Sequence, residues 1–397
     1  MNITVGTNWD PTLLEELANV PEVAEYMGSL PQQAIGTDRP PMKHPRASWE
    51  EIEQHITRIH ETGKRFTWLL NIPTGGREWE PGKHSRIVDY VGRIADCGAD
   101  AVTVVSPGHI EIIKANFPHL QIQMSHNSGI TTSAQLKAWA DLGADAACIL
   151  RFKNRLLPYV EQLVQNSEIP LQITCLSVCV PGCPAKISQY HLSITGAQCV
   201  EGGPQSPHSK DGHGFHIAYC HKYRFSNPEE LVKGCFIRPD DLHYFEKIGV
   251  AGVKLDTRTL PTPGIVARAQ AYAGQRFDGN LMDLLNVFHM AGFKMPGPPP
   301  AEGAAADLTD EQLGDLLFKA ARRYDFHELL NFDSRGLDGW MKRMLEKPCT
   351  ATCNQCDHCV DFADRAMDWN QEMRTELQTL VEEYQSRILN RGGHGAD

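Results

Sequence analysis

Short, mainly apolar runs alternate with amphipathic stretches along most of the chain, which is the pattern of repeated strand and helix units. The predicted strands are Ile3–Gly6, Val23–Met27, Phe66–Leu70, Ala101–Val105, Leu120–Met124, Ala146–Leu150, Leu171–Thr174 and Val250–Lys254. Because these eight runs alternate with helical stretches, a closed (β/α)8 TIM-like barrel is favoured over a doubly wound open sheet.

A weak internal repeat supports the barrel. The segments Cys97–Val105, Leu142–Leu150 and Ile248–Lys254 each contain a glycine that ends a helix, and a short apolar strand follows almost at once. Repeated units of this form are what a (β/α)8 barrel is made of.

The helices are predicted from amphipathic spacing and from capping signals. Ser48 and Glu51 have the spacing of a capping box, so we expect a helix to begin there. The other expected helices are Pro11–Ala18, Gly264–Tyr272, Asn280–Met290, Asp310–Tyr324 and Phe362–Leu389.

The pattern divides the chain into three parts. These are a barrel over 1–294, a Pro- and Ala-rich linker over 295–307 and a small helical C-terminal region over 308–397. Within the barrel, residues 175–245 are expected to form a cysteine-rich insert between strands 7 and 8. The Gly392–Gly395 segment near the end is expected to be disordered.

The composition is that of a globular protein, with 397 residues, 41% hydrophobic and 22% charged. A net charge of −11 does not support a nucleic-acid surface, although it leaves room for a local basic patch. The first residues lack the basic and apolar regions of a signal peptide, and no apolar run approaches the ~18 residues of a membrane span. A cytoplasmic location is therefore expected.

Twelve cysteines in such a chain are better explained by metal binding than by disulfides. The insert holds Cys179 and Cys183, a compact C-x3-C pair before a proline, and then Cys220 and Cys235. We expect these four thiols to hold an iron–sulfur cluster, with zinc as the alternative. The remaining thiols have other expected roles. Cys175 and Cys199 are spare thiols of the insert, and Cys97 and Cys148 are interpreted as packing residues.

A second cysteine group, Cys349, Cys353, Cys356 and Cys359, lies near the C-terminus. The first three have the C-x3-C-x2-C spacing of radical S-adenosylmethionine enzymes, which carry it after their first barrel strand. Here the motif follows a linker, and Cys359 is available as a fourth ligand. We therefore expect a second metal site, either a cluster or zinc, with a structural or electron-relay role.

Polar residues follow the predicted strands, where a barrel gathers its functional groups. They are Asn8, Asn71, Ser106, His109, Ser125, His126, Asn127, Arg151, Lys254 and Arg258. The cations Arg151, Lys254 and Arg258 suggest an anionic substrate or co-substrate. His109 and His126 are candidates for proton transfer, which completes the expected catalytic set. Alternatively, the cations only balance acidic residues such as Glu25 or Asp256.

Several motifs resemble the collagenase-like peptidase family, the thirty-second family of peptidases of unknown catalytic type. They are Cys179–Pro184, Phe236–Leu242, Gly252–Arg258, Tyr272–Leu285 and the C-terminal cysteine group, and the likeness spans most of residues 1–290. Two features differ from better-known members. The first two cysteines are more closely spaced, and Asp256-Thr257 replaces a Glu-Gly pair.

The resemblance implies a 4Fe–4S cluster held by four cysteines and an oxidoreductase that works without oxygen. Similar family members support oxygen-independent hydroxylation of tRNA or ribosomal RNA bases and of the ubiquinone ring, some with prephenate as oxygen donor. Two alternatives remain open. One is a peptidase, for which the sequence shows no nucleophile with a partnered base. The other is a non-catalytic iron–sulfur subunit that binds a related subunit.

Overall fold

The computed structural model describes residues 1–31, 33–35, 45–72, 84–191, 207–285, 326–349 and 355–390. The expected linker 295–307, the helix predicted over Asp310–Tyr324 and the Gly392–Gly395 segment lie outside these residues. Elements below are numbered over the described part of the chain only.

Eight parallel strands close into a barrel in sequence order, and β1 pairs with both β2 and β8. This confirms the predicted (β/α)8 fold. The strands are β1 Asn2–Gly6, β2 Val23–Gly28, β3 Arg65–Leu69, β4 Ala101–Val104, β5 Gln121–Met124, β6 Ala146–Cys148, β7 Leu171–Thr174 and β8 Gly252–Leu255. Each predicted strand overlaps an observed one, with ends that differ by one or two residues.

Helices connect the strands and cover the outside of the barrel. They are α1 Pro11–Glu16, α2 Trp49–Glu61, α3 His84–Asp96, α4 Pro107–Asn116, α5 Ser133–Asp141, α6 Leu157–Gln165, α7 Pro207–Ser226, α8 Glu229–Val232, α9 Leu242–Lys247 and α10 Thr262–Ala273. The capping box at Ser48 and Glu51 is present in both directions, as predicted. A helix is predicted over Asn280–Met290, and the described residues at its start instead form a 3-10 turn, Leu281–Asp283. The Asn280 side chain caps this turn by accepting from the backbone N–H of Met282.

The C-terminal region is not purely helical within the described residues. Its helices are α11 Phe326–Leu329, α12 Trp340–Glu346, α13 His358–Ala366 and α14 Gln371–Asn390. The single helix predicted over Phe362–Leu389 is therefore wrong. It is interrupted by β10, Met367–Trp369, which pairs antiparallel with β9, Leu330–Phe332. Cross-strand backbone bonds replace the helical ones at this point.

This region packs on the insert. The Arg374 Nε of α14 donates to the Phe225 carbonyl of α7 at 2.8 Å, and Lys222 pairs with Glu382 at 3.1 Å. On the other side, Arg238 after α8 pairs with Asp338 at 3.0 Å. The C-terminal region is thus held directly against the segment that carries Cys220 and Cys235.

Candidate functional site

The two ends of the cysteine insert meet just past β7. The Cys235 backbone N–H donates to the Cys179 carbonyl at 3.1 Å, and the Cys235 Sγ lies 2.8 Å from the same oxygen. The Cys183 N–H donates to Val180 at 3.2 Å, which closes a tight turn between the first two thiols. Backbone bonds therefore bring residues far apart in sequence to one point.

Cys220 joins this group from helix α7. Burial raises the pKa of its thiol, and the negative charges of ionised Cys179 and Cys183 nearby raise it further, while Arg224 opposes them. Backbone bonds bring Cys179 and Cys235 together, and Cys220 lies within electrostatic range of Cys179 and Cys183. That these four thiols, singled out in the sequence, bind one cluster stays a prediction.

Cations surround these thiols and favour their ionised forms. Burial raises the pKa of Cys179, but Arg151, Arg224, Lys186 and a bond to Ser177 outweigh it, so the net pKa lies below the ordinary value. Burial and the neighbouring Cys179 instead raise the pKa of Cys235 to about 12. Of Cys179, Cys220 and Cys235, Cys179 is therefore the first to ionise.

Two of these cations are fixed by bonds to the insert itself. The Arg224 guanidinium donates to the Val178 carbonyl at 2.7 Å, and the side chain is 1% exposed. Lys186 Nζ donates to the Pro181 carbonyl at 3.1 Å. Both carbonyls lie beside the C-x3-C turn, so the positive charges are held where the thiols are.

Arg151 connects the thiol group with the barrel. It begins the 3-10 turn Arg151–Lys153 after β6. Burial lowers its pKa, but the negative charges of Cys179, Cys235, Tyr190 and Asp256 outweigh this and raise it. Its Nε is buried and has no hydrogen-bond partner among the described residues. The guanidinium therefore has donor capacity left for a bound group.

Arg151 and two other residues predicted at the barrel mouth act on the same buried thiol, Cys148. Burial raises the pKa of Cys148 to about 12, and the charge of Asp256 also raises it. The charges of Lys254 and Arg151 and a hydrogen bond with the His126 backbone lower the pKa of the same thiol. His126, Arg151 and Lys254 are thus neighbours of one buried sulfur. Their catalytic roles stay predictions.

The other predicted mouth residues occupy separate positions. His109 is buried near the start of α4, and Arg258 is buried just after β8. The backbone of Arg258 lies so close to Gly6 that a Cβ on that glycine would be 2.4 Å from the Arg258 nitrogen. Asn71 is buried after β3, and its carbonyl accepts from Asn127 at 3.1 Å.

The barrel interior contains a polar layer that the sequence interpretation missed. Lys254 Nζ of β8 donates to Gln123 Oε1 of β5 at 2.8 Å, and Gln123 Nε2 donates to Glu25 of β2 at 2.7 Å. Thr4 also donates to Glu25 at 3.1 Å. Since these strands are not all neighbours, the bonds cross the interior. Lys254 is therefore linked to the acidic Glu25 through Gln123. This agrees in part with the alternative in which the cations only balance acidic residues.

Every strand of the barrel contributes at least one buried polar residue or thiol. They are Thr4, Glu25, Thr67, Thr103, Gln123, Cys148, Thr174 and Lys254. Barrel interiors are usually filled by branched apolar side chains. A signal was available, because most of these strands carry one polar residue between two apolar ones.

The spare cysteines lie elsewhere. Cys175 is fully buried, and burial together with the charges of Cys148 and Asp256 raises its pKa well above the ordinary value. It is therefore a core thiol beside Cys148, outside the cation-rich group. Cys97 is also buried, whereas Cys199 lies outside the described residues.

The C-terminal cysteines are only partly described. Cys359 on α13 is buried, and its Sγ lies 3.8 Å from the Arg155 guanidinium. Cys349 and Cys356 are exposed, and Cys353 lies outside the described residues. A second metal site here stays a prediction.

Within the described ranges, no three His, Cys, Asp or Glu side chains are arranged to hold one metal ion. That arrangement concerns a single ion, whereas thiols around a four-iron cluster surround a larger group. The insert thiols fit such a cluster in their chemistry. All four donors are sulfur, Cys179 and Cys235 meet through backbone bonds, and cations near Cys179 offset the charge of a thiolate.

Comparison with known proteins finds one matching family model. Residues 40–169 match the model for Peptidase family U32. About a third of the chain is therefore similar to this peptidase family. The matched segment runs from before α2 to the end of α6 and stops short of the cysteine insert. This family model therefore does not itself cover the four thiols.

Two curated relatives and a solved structure are similar to this chain. An uncharacterized protease of Methanocaldococcus jannaschii is 23% identical over 84% of this chain and 86% of its own length. The tRNA hydroxylation protein P of Escherichia coli is 24% identical over 26% of this chain and 21% of its own length. A solved U32 peptidase has 16% identity and a TM-score of 0.46, covering 64% of this chain and 92% of its own.

No helix in the described part of the chain is both long enough and apolar enough to cross a membrane.

Proposed function

We propose that this chain is an iron–sulfur enzyme that carries out or enables oxygen-independent hydroxylation, or a related redox change. The observation that carries the proposal is that backbone bonds bring Cys179 and Cys235 together at the end of β7, with Arg151, Arg224 and Lys186 acting on Cys179 and with Cys220 within electrostatic range. The name of the partial relative, tRNA hydroxylation protein P, is in line with this class of reaction.

The four thiols would hold a 4Fe–4S cluster. Such a cluster supplies one-electron chemistry, or Lewis acidity where one iron is open to substrate. The contribution of the chain is to hold the thiols and offset their charge. Cys179 already favours the thiolate, and Arg224 and Lys186 are anchored to neighbouring carbonyls.

Arg151 is the best candidate for binding substrate. The charges of Cys179, Cys235 and Asp256 all act on its guanidinium, and its Nε is an unused buried donor in the described structure. A carboxylate or phosphate group, on a small molecule or on a nucleic acid, would accept bonds from it. His126 lies near the same point and could exchange a proton with the substrate.

The test is anaerobic reconstitution of single-cysteine variants, followed by iron and sulfide analysis and EPR. Cys183→Ala should lose ~4 iron and the absorption near ~400 nm, because clusters of this type use four cysteine ligands. Cys175→Ala is the matched control, since this thiol is four residues from Cys179 but buried against Cys148. Full iron retention in Cys183→Ala would contradict the assignment.

Anion binding is tested separately with Arg151→Lys, which keeps the charge but loses the planar fork. We expect weaker binding of a carboxylate-bearing substrate with unchanged iron content. Unchanged binding and activity would exclude this role for Arg151.

A peptidase is the second candidate, because Ser188 Oγ lies 2.8 Å from His216 Nε2 in the insert. This serine–histidine contact is exposed to solvent, which weakens the electrostatic help that acyl transfer needs. Hydrolysis of a peptide library that disappears in Ser188→Ala but persists in Cys183→Ala would favour the peptidase.

A further inference from the structure

Arg155 lies between the two cysteine groups of the chain. It follows the 3-10 turn after β6, and its side chain is 6% exposed. One terminal nitrogen donates to the Lys233 carbonyl of the insert. The other lies 3.8 Å from the Cys359 sulfur of the C-terminal region. One guanidinium therefore touches both the insert and α13.

The insert side of this contact leads directly to Cys235. Lys233 precedes Cys235 by two residues, and the positive charge of Arg155 is among those that favour the Cys235 thiolate. The neighbouring Asn154 donates to the Cys235 carbonyl at 3.4 Å and to the Thr174 carbonyl at 2.6 Å. The position of this loop relative to Cys235 is thus fixed by several bonds.

The surroundings of Arg155 lack the usual counter-charge. Among the described residues, the guanidinium contacts a carbonyl, a thiol and the Trp340 ring, whose centre is 4.9 Å away, and pairs with no carboxylate. Its Nε is buried without a partner in the same part of the chain. A buried cation needs a nearby anion. Of the groups that the guanidinium is described as contacting, the Cys359 sulfur is the one that can carry a negative charge.

We propose that Arg155 is a positioning residue that couples the C-terminal cysteine group to the cysteine group of the insert. The charge at Cys359, whether free, modified or metal-bound, sets how much of the positive field of Arg155 remains available at Cys235. It thereby sets the reduction potential of the cluster held there. The inference rests on the iron–sulfur site proposed above.

The expected sign follows from electrostatics. Reduction adds one electron and makes the cluster more negative, so a nearby cation stabilises the reduced form. Arg155→Gln removes the cation and should lower the potential. A tenfold shift in the reduction equilibrium, 59 mV for one electron, is the expected scale.

The measurement is an EPR-monitored redox titration of the reconstituted full-length protein. Arg365→Gln is the control, because Arg365 also donates to carbonyls, of Gly336 at 2.6 Å and Asp338 at 2.9 Å, and stacks on a ring, Phe362. Its described contacts are with carbonyls and a ring, whereas Arg155 also contacts a thiol. We expect Arg155→Gln to shift the potential and Arg365→Gln to leave it unchanged.

A double-mutant cycle with Cys359→Ala tests the coupling itself. Cys359→Ala should shift the potential in the wild-type background, and this shift should be lost in Arg155→Gln, or in the equally neutral Arg155→Met if the glutamine variant does not fold. Additive shifts, or no shift from Cys359→Ala, would overturn the inference. A wild-type protein that takes up no iron would instead refute the proposed function.

Discussion

The hydrogen bonds that cross the barrel interior give a direct test of its polar layer. Gln123 is the only described link between Lys254 and Glu25, with bonds of 2.8 and 2.7 Å. Gln123→Met keeps the length of the side chain and removes both bonds, so an ammonium and a carboxylate each lose a buried partner. Methionine adapts well to such a space, so the change is mainly electrostatic.

The magnitude follows from the two bonds. A hydrogen bond to a charged group contributes about 1.5–3 kcal/mol, so the loss of both costs about 3–6 kcal/mol. The more apolar methionine offsets about 1 kcal/mol of this. We therefore expect the free energy of unfolding to fall by about 2–5 kcal/mol.

Gln121→Met is the matched control on the same strand. Gln121 is exposed and accepts from Arg65 at 2.6 Å on the surface, so its replacement should change stability by less than about 0.5 kcal/mol. The assay is urea unfolding followed by circular dichroism, with midpoints compared at constant slope. If the two variants differ by less than about 1 kcal/mol, the crossing bonds do not stabilise the barrel as argued.

Two further predictions concern His55 and Gly6. Burial lowers the pKa of His55, which lies 2.9 Å from the Thr7 hydroxyl, from 6.5 to about 4. Between these values the unfolded chain binds a proton that the folded chain does not, so stability should fall by up to about 3 kcal/mol as pH drops from 6.5 to 4. Denaturant titrations across this range should show a smaller decline for His55→Asn. Gly6→Ala would place a Cβ 2.4 Å from the Arg258 nitrogen, whereas Gly182→Ala meets nothing within 4 Å. Thermal unfolding should show a loss of about 1–3 kcal/mol for the first alone, and equal stability of both would contradict the close packing.

The barrel could be predicted from sequence because its signals are local. Apolar runs, helix-ending glycines and a capping box each act over a few residues, and all eight strands were located. The C-terminal region could not be predicted in the same way. The helix expected over Phe362–Leu389 is interrupted where Met367–Trp369 pairs with Leu330–Phe332, and that pairing depends on residues about 35 positions away.

The charges around the thiols show a second limit of sequence reasoning. The four insert cysteines could be grouped because few alternatives share their chemistry, but Arg224 and Lys186 were missed. Arg224 had a signal, since it lies one helical turn after Cys220 on the same face of α7. Lys186 had none, because only the folding of its chain onto the Pro181 carbonyl brings it to the turn.

The loop after β6 explains why Arg151 and Arg155 serve different partners. In a closed barrel β6 lies beside β7, so the loop that follows β6 must meet the insert that follows β7. This adjacency alone brings Arg151 toward Cys179 and Cys235. The contact of Arg155 with Cys359 needs a second condition, the packing of the C-terminal region on the insert, which no barrel rule dictates. The barrel topology therefore accounts for the charge at the thiol group, and the C-terminal packing accounts for its link to the second cysteine group.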